Sequence, residues 1–403
     1  MATKRSIAVI VSAGLLGAAL SIPPAHSRQG VTKGTITIGV HGPVTGASPL
    51  PSDSLQQGAD IYWRWRKRHD RPIKGRHVEV VFKNDNTNPS QAVAVCKEMV
   101  EQDNVFLLSG LLNPEGKDQV QSCARYAASV GVPYVSLGQM KTGVAELPRY
   151  FAFSASWARQ ARLLADYMLD RLGAGSENNG MVRFDTPNYT DTHDAFVSAM
   201  SKRKNELEYD RSVSRGAGAT EAELVIGELK NAEIENVFVL VSPIWFLQLL
   251  KAADNQNYHP QWLGVGMTLS VTDSVVRVGC SGDAAVRGTK VLSPLPAFDD
   301  HREFDDNYSK AMQEIYNDTG DMVTWLGWGT SRQLAKLLER AGRDLSRRRF
   351  VRSSERARDI RTGILPALNF SPRDHFGGKG VHVLEARCTD ERWHTKLRFK
   401  RGF

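Results

Sequence analysis

From Gly34 to about Val265, short β-rich runs alternate with longer amphipathic ones, and the alternation runs through twice. Few folds accommodate that rhythm. A strand that returns parallel to its neighbour needs a helical crossover, and such crossovers are right-handed, so the pattern implies βαβ units and parallel sheets. In the first set Thr35 to Val40 is a strand ending at the Gly42-Pro43 turn. Ser54 to Arg68 is a helix and His77 to Phe82 a second strand. Asn88-Pro89-Ser90 caps a helix running to about Gln102. Val105 to Leu108 is a third strand, followed by a helix from about Pro114 to Ser129 and the run Pro133-Tyr134-Val135.

The rhythm restarts after Tyr150. Helices are expected at about Trp157 to Leu172, Asp191 to Lys202, Glu221 to Asn231 and Trp245 to Ala253. Strands are expected at Gly180 to Phe184, around Val213, at Val237 to Val241 and at Trp262 to Val265. A chain of 403 residues exceeds what one hydrophobic core usually organises. The two sets therefore predict an α/β protein of two Rossmann-like lobes, with ligands held at the carboxyl ends of the strands.

The last third is less regular. Val291 to Ser293 is a strand, Asp300 to Asn317 and Thr324 to Ala341 are helices, and short strands fall around Gly380 to Glu385 and His394 to Phe399. Eight arginines lie between Arg343 and Arg361, interspersed with Asp344, Glu355 and Asp359, which reads as a solvated helix face. Trp63 and Trp65, two apart on the first helix, cannot share a helical face, so at most one of them is expected in the core.

The N-terminus reads as an export signal. Lys4 and Arg5 precede an apolar or small stretch from Ile7 to Ile22, broken by Pro23-Pro24 and followed by Ala25-His26-Ser27. The alternative is an uncleaved membrane anchor. No cysteine follows the apolar stretch, which disfavours a lipid anchor. Removing the first 27 residues takes Lys4 and Arg5 with it and lowers the formal charge from +8 to +6. That excess supports solubility better than nucleic-acid binding. Beyond the leader no apolar run is long enough to span a membrane.

Cys96, Cys123, Cys280 and Cys388 show no metal-ligand spacing. In an oxidising compartment an even number suggests disulfides, with three possible pairings; free buried thiols are the alternative. No cofactor motif follows the first strand. The segment Gly110 to Asp118 approaches a phosphate-binding loop but has one residue too many and an Asp in place of the hydroxyl. HExxH and GxSxG are absent and the ten histidines are scattered singly, so no enzyme is expected.

Several segments nevertheless occur in a telling order. They are Gly39 to Pro43, Gly58-Ala59-Asp60, Ile73-Lys74-Gly75, Asp85 to Val93, Ala127 to Ser136, Gly282 to Ala285 and Leu368-Asn369-Phe370. From about Thr35 to Phe399 the chain resembles the branched-chain amino acid (Leu/Ile/Val)-binding proteins, type I periplasmic solute-binding receptors of ABC importers. The resemblance implies two lobes joined by a three-crossing hinge, with crossings near Tyr150–Ser156, Leu292–Leu295 and Asn369–Ser371. Lobe one is then 34–152 plus 294–369, and lobe two 153–293 plus 370–403. Each lobe holds two cysteines, which favours the pairs Cys96–Cys123 and Cys280–Cys388.

The same resemblance implies a ligand site. Loop Thr45 to Ser48 would line the pocket for the ligand's side chain, and Asn113 and the loop Gln139-Met140-Lys141 would meet its carboxylate. Lys141 could pair with an anion or be a solvated loop lysine. From the other lobe Tyr189 would cover the ligand, unless it is a surface turn residue. Trp157 is a cleft wall or a core residue at a helix start, and Ser242 is a further candidate. Amino-acid binders of this family carry an acidic residue in the loop that here reads Gly264 to Thr268, around Met267, without a carboxylate. A buried ammonium lacking a countercharge would be costly, so the ligand is expected to be a carboxylate or amide without a free ammonium. The implied protein is exported, monomeric and free of metal or cofactor, and its partners are ABC importer permease subunits. The competing readings are a ligand-sensing module acting with a membrane signalling partner, and a secreted enzyme on the same scaffold.

Overall fold

The computed structural model describes residues 30–46, 50–112, 117–138, 140–266, 269–270, 274–281 and 285–403. The expected leader and Ser48, Asn113, Gln139 and Met267 lie outside the described residues.

The first sheet has the strand order β2-β1-β3-β4-β5, all parallel: β1 (Thr35–Gly42), β2 (His77–Asn84), β3 (Leu107–Gly110), β4 (Tyr134–Ser136) and β5 (Tyr150–Ala152). Its crossovers are α1 (Ser52–Arg68), α2 (Pro89–Glu101) and α3 (Lys117–Ser129). The second sheet runs β12-β11-β10-β9-β8-β6-β7. Its strands are β6 (Asn179–Phe184), β7 (Tyr209–Val213), β8 (Asn236–Leu240), β9 (Gln261–Val265), β10 (Lys290–Ser293), β11 (Val381–Arg387) and β12 (Arg392–Lys400). Strands β6 to β10 pair in parallel, and the last two close the edge antiparallel. Helices α4 (Trp157–Tyr167), α5 (Thr190–Lys202), α6 (Ala219–Asn231), α7 (Pro243–Asn255) and α8 (Ser274–Gly279) belong to this sheet. After β10 come α9 (His301–Phe304), α10 (Asp306–Tyr316), α11 (Met322–Ala341) and α12 (Arg347–Glu355). Of these, α10 and α11 pack back onto α1.

Local chemistry explains the helix starts. Asn88 accepts from the Ser90 and Gln91 amides with Pro89 in the first turn, and Asp321 with Thr324 forms a capping box on α11. The expected helix at 300–317 is split because the Asp305 side chain caps α10 while also accepting from the Trp328 indole. Alternate side chains of the first sheet enter two cores. Ile36, Ile38, Val135 and Phe151 face α1 and α11, whereas Leu108, Tyr134 and Tyr150 face α2 and α3.

One expectation is corrected here. Trp63 and Trp65 are both buried, 3% and 8% exposed. Helix α1 is packed by β2, α10 and α11, so more than one of its faces is covered, and Trp65 meets Trp328 edge-on while Trp63 meets Tyr62. The short edge strand β5 was also not foreseen, because three residues carry no periodicity.

Three passages of chain connect the sheets. Residues 153–156 lead from β5 to α4, and residues 294–297 lead from β10 to the helices on the first sheet. The third leads to β11 after residues 375–377, which extend the first sheet beyond β5: Ala152 donates to the His375 carbonyl and accepts from Gly377, both at 2.9 Å. Two disulfides are present. Cys96–Cys123 ties α2 to α3 with the Cα atoms 6.0 Å apart, and Cys280–Cys388 ties the end of α8 to the segment after β11 at 5.3 Å. They are the pairs the resemblance favours. Loop-closure entropy makes the longer loop the larger contributor: chemical denaturation of the C96S/C123S variant should show a loss of about 3 to 4 kcal/mol, and of C280S/C388S about 5 kcal/mol.

His382 on β11 is fully buried, donates from Nε2 to the Ile364 carbonyl at 2.9 Å, and packs edge-on against Phe399. Burial drives its pKa down to about 3, only partly offset by that hydrogen bond. The unfolded chain therefore binds a proton that the folded chain refuses, and stability falls as pH drops below the unfolded value of about 6.5. Urea titrations between about pH 6.5 and 4 should show His382 contributing a loss of about 1.4 kcal/mol per pH unit. The slope should be correspondingly shallower in His382→Gln.

Candidate functional site

The carboxyl ends of the two sheets carry loops that meet across the connecting segments. On the first sheet, the loop after β1 is tied to the end of β2. The Asn84 carboxamide oxygen accepts from the Val44 and Thr45 amides at 3.0 and 3.3 Å, and the Thr87 hydroxyl donates to the Thr45 carbonyl at 3.0 Å. Gly46, at φ +107°, lies so close to the Asn86 carbonyl that a Cβ would sit 2.1 Å from its oxygen.

Beneath these loops is a buried polar chain. His41 Nδ1 lies 2.8 Å from the Asp85 carboxylate and Nε2 2.6 Å from the Tyr134 hydroxyl, with all three residues at most 1% exposed. With Asp85 ionised, Nδ1–H donates to it and Nε2 accepts from Tyr134. The Tyr150 and Ser136 hydroxyls pair beside it at 2.5 Å. Burial pushes both tyrosine hydroxyls well above their usual range, so they stay neutral donors. The disulfide Cys96–Cys123 adjoins His41, which would otherwise make a three-ligand cluster; as a disulfide its sulfurs are no metal ligands.

The loop after β4 crosses to the other half of the molecule. Met140 is buried in the core of the second sheet. The Thr142 hydroxyl lies 2.7 Å from each carboxylate oxygen of Asp191, in the first turn of α5, and the Thr142 amide donates to the same group at 3.3 Å. Lys141 between them is exposed, its ammonium 5.0 Å from the centre of the Phe376 ring.

On the second sheet, Trp157 and Tyr189 are buried with ring centres 5.7 Å apart. The Trp157 indole lies against Gly266, the residue after β9, where a Cβ would come within 2.5 Å of Nε1. Gln160 is fully buried. Its amide donates to the Ala155 carbonyl at 2.7 Å and its oxygen accepts from the Gly266 amide at 2.8 Å. The Ser242 hydroxyl caps α7 through the Trp245 amide at 3.3 Å, next to the strongly exposed Ile244. Of the residues singled out in the sequence, Met140, Lys141, Trp157 and Tyr189 thus gather around the junction of the two halves, while Ser242 sits at the end of β8 in a structural cap. Sequence reading passed over Thr142, Gln160 and Asp191. Gln160 left a trace, a polar side chain on the face of α4 that also carries Trp157 and Leu164.

The family model of the periplasmic binding proteins matches residues 35–391. The chain belongs to the periplasmic binding protein family. Its members and the structures it resembles are solute-binding proteins, not enzymes. No curated protein matches this periplasmic binding protein over its sequence. Among solved structures it is similar to a possible leucine/isoleucine/valine-binding protein from Rhodopirellula baltica SH 1, at 15% identity and TM-score 0.73, over 91% of this chain and 98% of that one. It is similar to a branched chain amino acid ABC transporter from Thermus thermophilus with bound valine, at 13% identity and TM-score 0.74, over 91% and 96%. A third likeness is the solute binding protein of an ABC transporter from Rhodopseudomonas palustris BisB5 in complex with 3,4-dihydroxy benzoic acid, at 13% identity and TM-score 0.70, over 90% and 95%. At such identities the likeness establishes the type I two-lobed fold. Among the described residues no helix of this periplasmic binding protein is long and apolar enough to cross a membrane.

Gly266→Ala tests the architecture of the junction. A methyl group at φ +72° and against the Trp157 indole should lower stability by about 2 kcal/mol or more in a denaturation titration and shift tryptophan fluorescence.

Proposed function

We propose that this periplasmic binding protein is the extracytoplasmic receptor of an ABC importer, and that its cleft closes on a small organic carboxylate lacking a free ammonium. The observation that carries the reading is the bridge from the loop after β4 to the first turn of α5, beside the Trp157–Tyr189 pair. A segment of one lobe that finds its partners on the other stabilises the closed arrangement and is absent from the open one. The proposed lobes are 34–152 plus 294–369 and 153–293 plus 370–403, and the Ala152–Phe376 pairing suits a third passage that follows the first sheet's edge before reaching β11. Export to the periplasm, a monomeric state and recognition of the closed form by permease subunits complete the reading.

The ligand class is supported by two features. The sequence Gly264 to Thr268 offers no carboxylate for an ammonium, and Asp191, an acidic side chain at the crossing, is already engaged by Thr142. The aromatic pair and Met140 supply apolar, polarisable surface, which suits an aromatic acid of the kind held by the R. palustris protein better than a branched-chain amino acid.

A thermal-shift screen of leucine, isoleucine, valine, benzoate and 3,4-dihydroxybenzoate tests this. An aromatic acid at about 100 times its dissociation constant should add about 2.7 kcal/mol of stability. The three amino acids should add nothing. Tyr189→Ala and Thr142→Ala should each weaken the hit about tenfold or more, measured by calorimetry. Tight binding of leucine, isoleucine or valine would contradict the proposed ligand class.

A further inference from the structure

The arginine-rich stretch is not absorbed by the solute site. Helix α12 carries two unlike faces. Phe350 and Ser354 are buried, and the Arg347 guanidinium donates to the Phe106 and Val105 carbonyls at 2.9 and 2.6 Å, just before β3 begins. Burial lowers the Arg347 pKa to about 10, with Arg149 adding repulsion. Those contacts fix the helix at the amino-terminal ends of the first sheet's strands, the end opposite the cleft loops. Arg76, immediately before β2, adds a bond to the Arg343 carbonyl at 3.0 Å.

The other face is solvated and cationic. Arg348, Arg349 and Arg352 are exposed and fall within about 100° of one another at 3.6 residues per turn, with exposed Arg356 following at the helix end. Residues 343–361 hold eight arginines against three acids, a local excess of five positive charges. Among the described residues, the side chains of Arg343, Arg348, Arg352 and Arg356 have no carboxylate within 4 Å. Asp359 pairs with Arg361, and Glu355 faces His375 at 3.5 Å. Of the apolar residues of the stretch, Leu345, Phe350 and Ala357 are buried, and Val351 and Ile360 are partly buried against the same core.

We infer that this face is an electrostatic docking surface for an anionic phospholipid bilayer. Protein interfaces are anchored by buried aromatic or apolar side chains at their centre, and this face exposes none. It presents instead a shallow array of guanidinium forks, each able to bind phosphate oxygens bidentately, spread over one convex helix. Such an array matches a diffuse layer of phosphate groups better than a defined peptide groove. Contact there leaves the cleft free, because α12 sits at the far end of the sheet. The inference is independent of which solute the cleft takes.

The test is co-sedimentation of the chain starting at Arg28, which retains every described residue, with phosphatidylcholine vesicles containing or lacking about a third phosphatidylglycerol. The protein should partition onto the anionic vesicles at about 0.05 M salt and be released at about 0.5 M. R348Q/R349Q/R352Q should weaken that partitioning at least tenfold while leaving the melting temperature and solute binding unchanged. K97Q/K202Q/K251Q, which removes as many charges from exposed sites elsewhere, should bind like the wild type. Equal losses in the two variants would reduce the effect to net charge and overturn the inference. So would undiminished binding by the arginine variant. A null on anionic vesicles also overturns it and leaves an acidic protein segment as the occupant of the patch.

Discussion

The Gln160 carboxamide joins the floor of the cleft on both sides. It is fully buried, donates to the Ala155 carbonyl in the first connecting passage, and accepts from the Gly266 amide after β9. A buried carboxamide of this kind needs both partners, because a polar group left alone loses water without gaining a bond, whereas the Gly266 amide also donates to the Leu292 carbonyl at 2.8 Å. Gly266 in turn lies against the Trp157 indole, whose ring centre is 5.7 Å from that of Tyr189. Removing Gln160 would therefore loosen the passage at Ala155 and take away one of the two bonds that hold the Gly266 amide. The first sheet has its own counterpart in the His41–Asp85–Tyr134 chain, which holds the end of β2 against β1 and β4.

On the proposed reading, these two rigid floors let the cleft be both preorganised and mobile. Each half is fixed by buried polar bonds and a disulfide, whereas the contact between the halves at Thr142 and Asp191 involves exposed groups. Exposed hydrogen bonds contribute little net stability and break at little cost, which is what a closing element requires. On that reading, opening would break these exposed bonds and withdraw Met140 from the second core, while the buried polar bonds and the disulfide within each half stay in place.

Much of this architecture was legible in the sequence, and the reasons are physical. Strand β8 is five residues of unbroken burial, and Asn88-Pro89-Ser90 is a helix start whose cap can be read directly. The disulfide pairs followed from the lobes the resemblance implied. What escaped notice was long-range. Trp65 enters the core because α11 covers it, and nothing near residue 65 announces a helix more than 250 residues later. Thr142 and Asp191 are ordinary loop and helix-start residues until the fold brings them together, and β5 exists only because β4 offers it an edge. The arginines were read as a solvated helix face, which most of them form, but Arg347 is drawn inward by two backbone carbonyls it could not signal in advance.

The account stands on where the solute sits. A crystal structure of the protein grown with an aromatic acid that raises its melting temperature decides this directly. The ligand should lie between the two sheets' strand ends, its ring against Trp157 or Tyr189 and Thr142 closed onto Asp191. Density instead in the surface groove lined by Phe298, His301, Arg302, Asp306 and Lys310, with the Thr142–Asp191 contact unchanged by the ligand, would contradict the account.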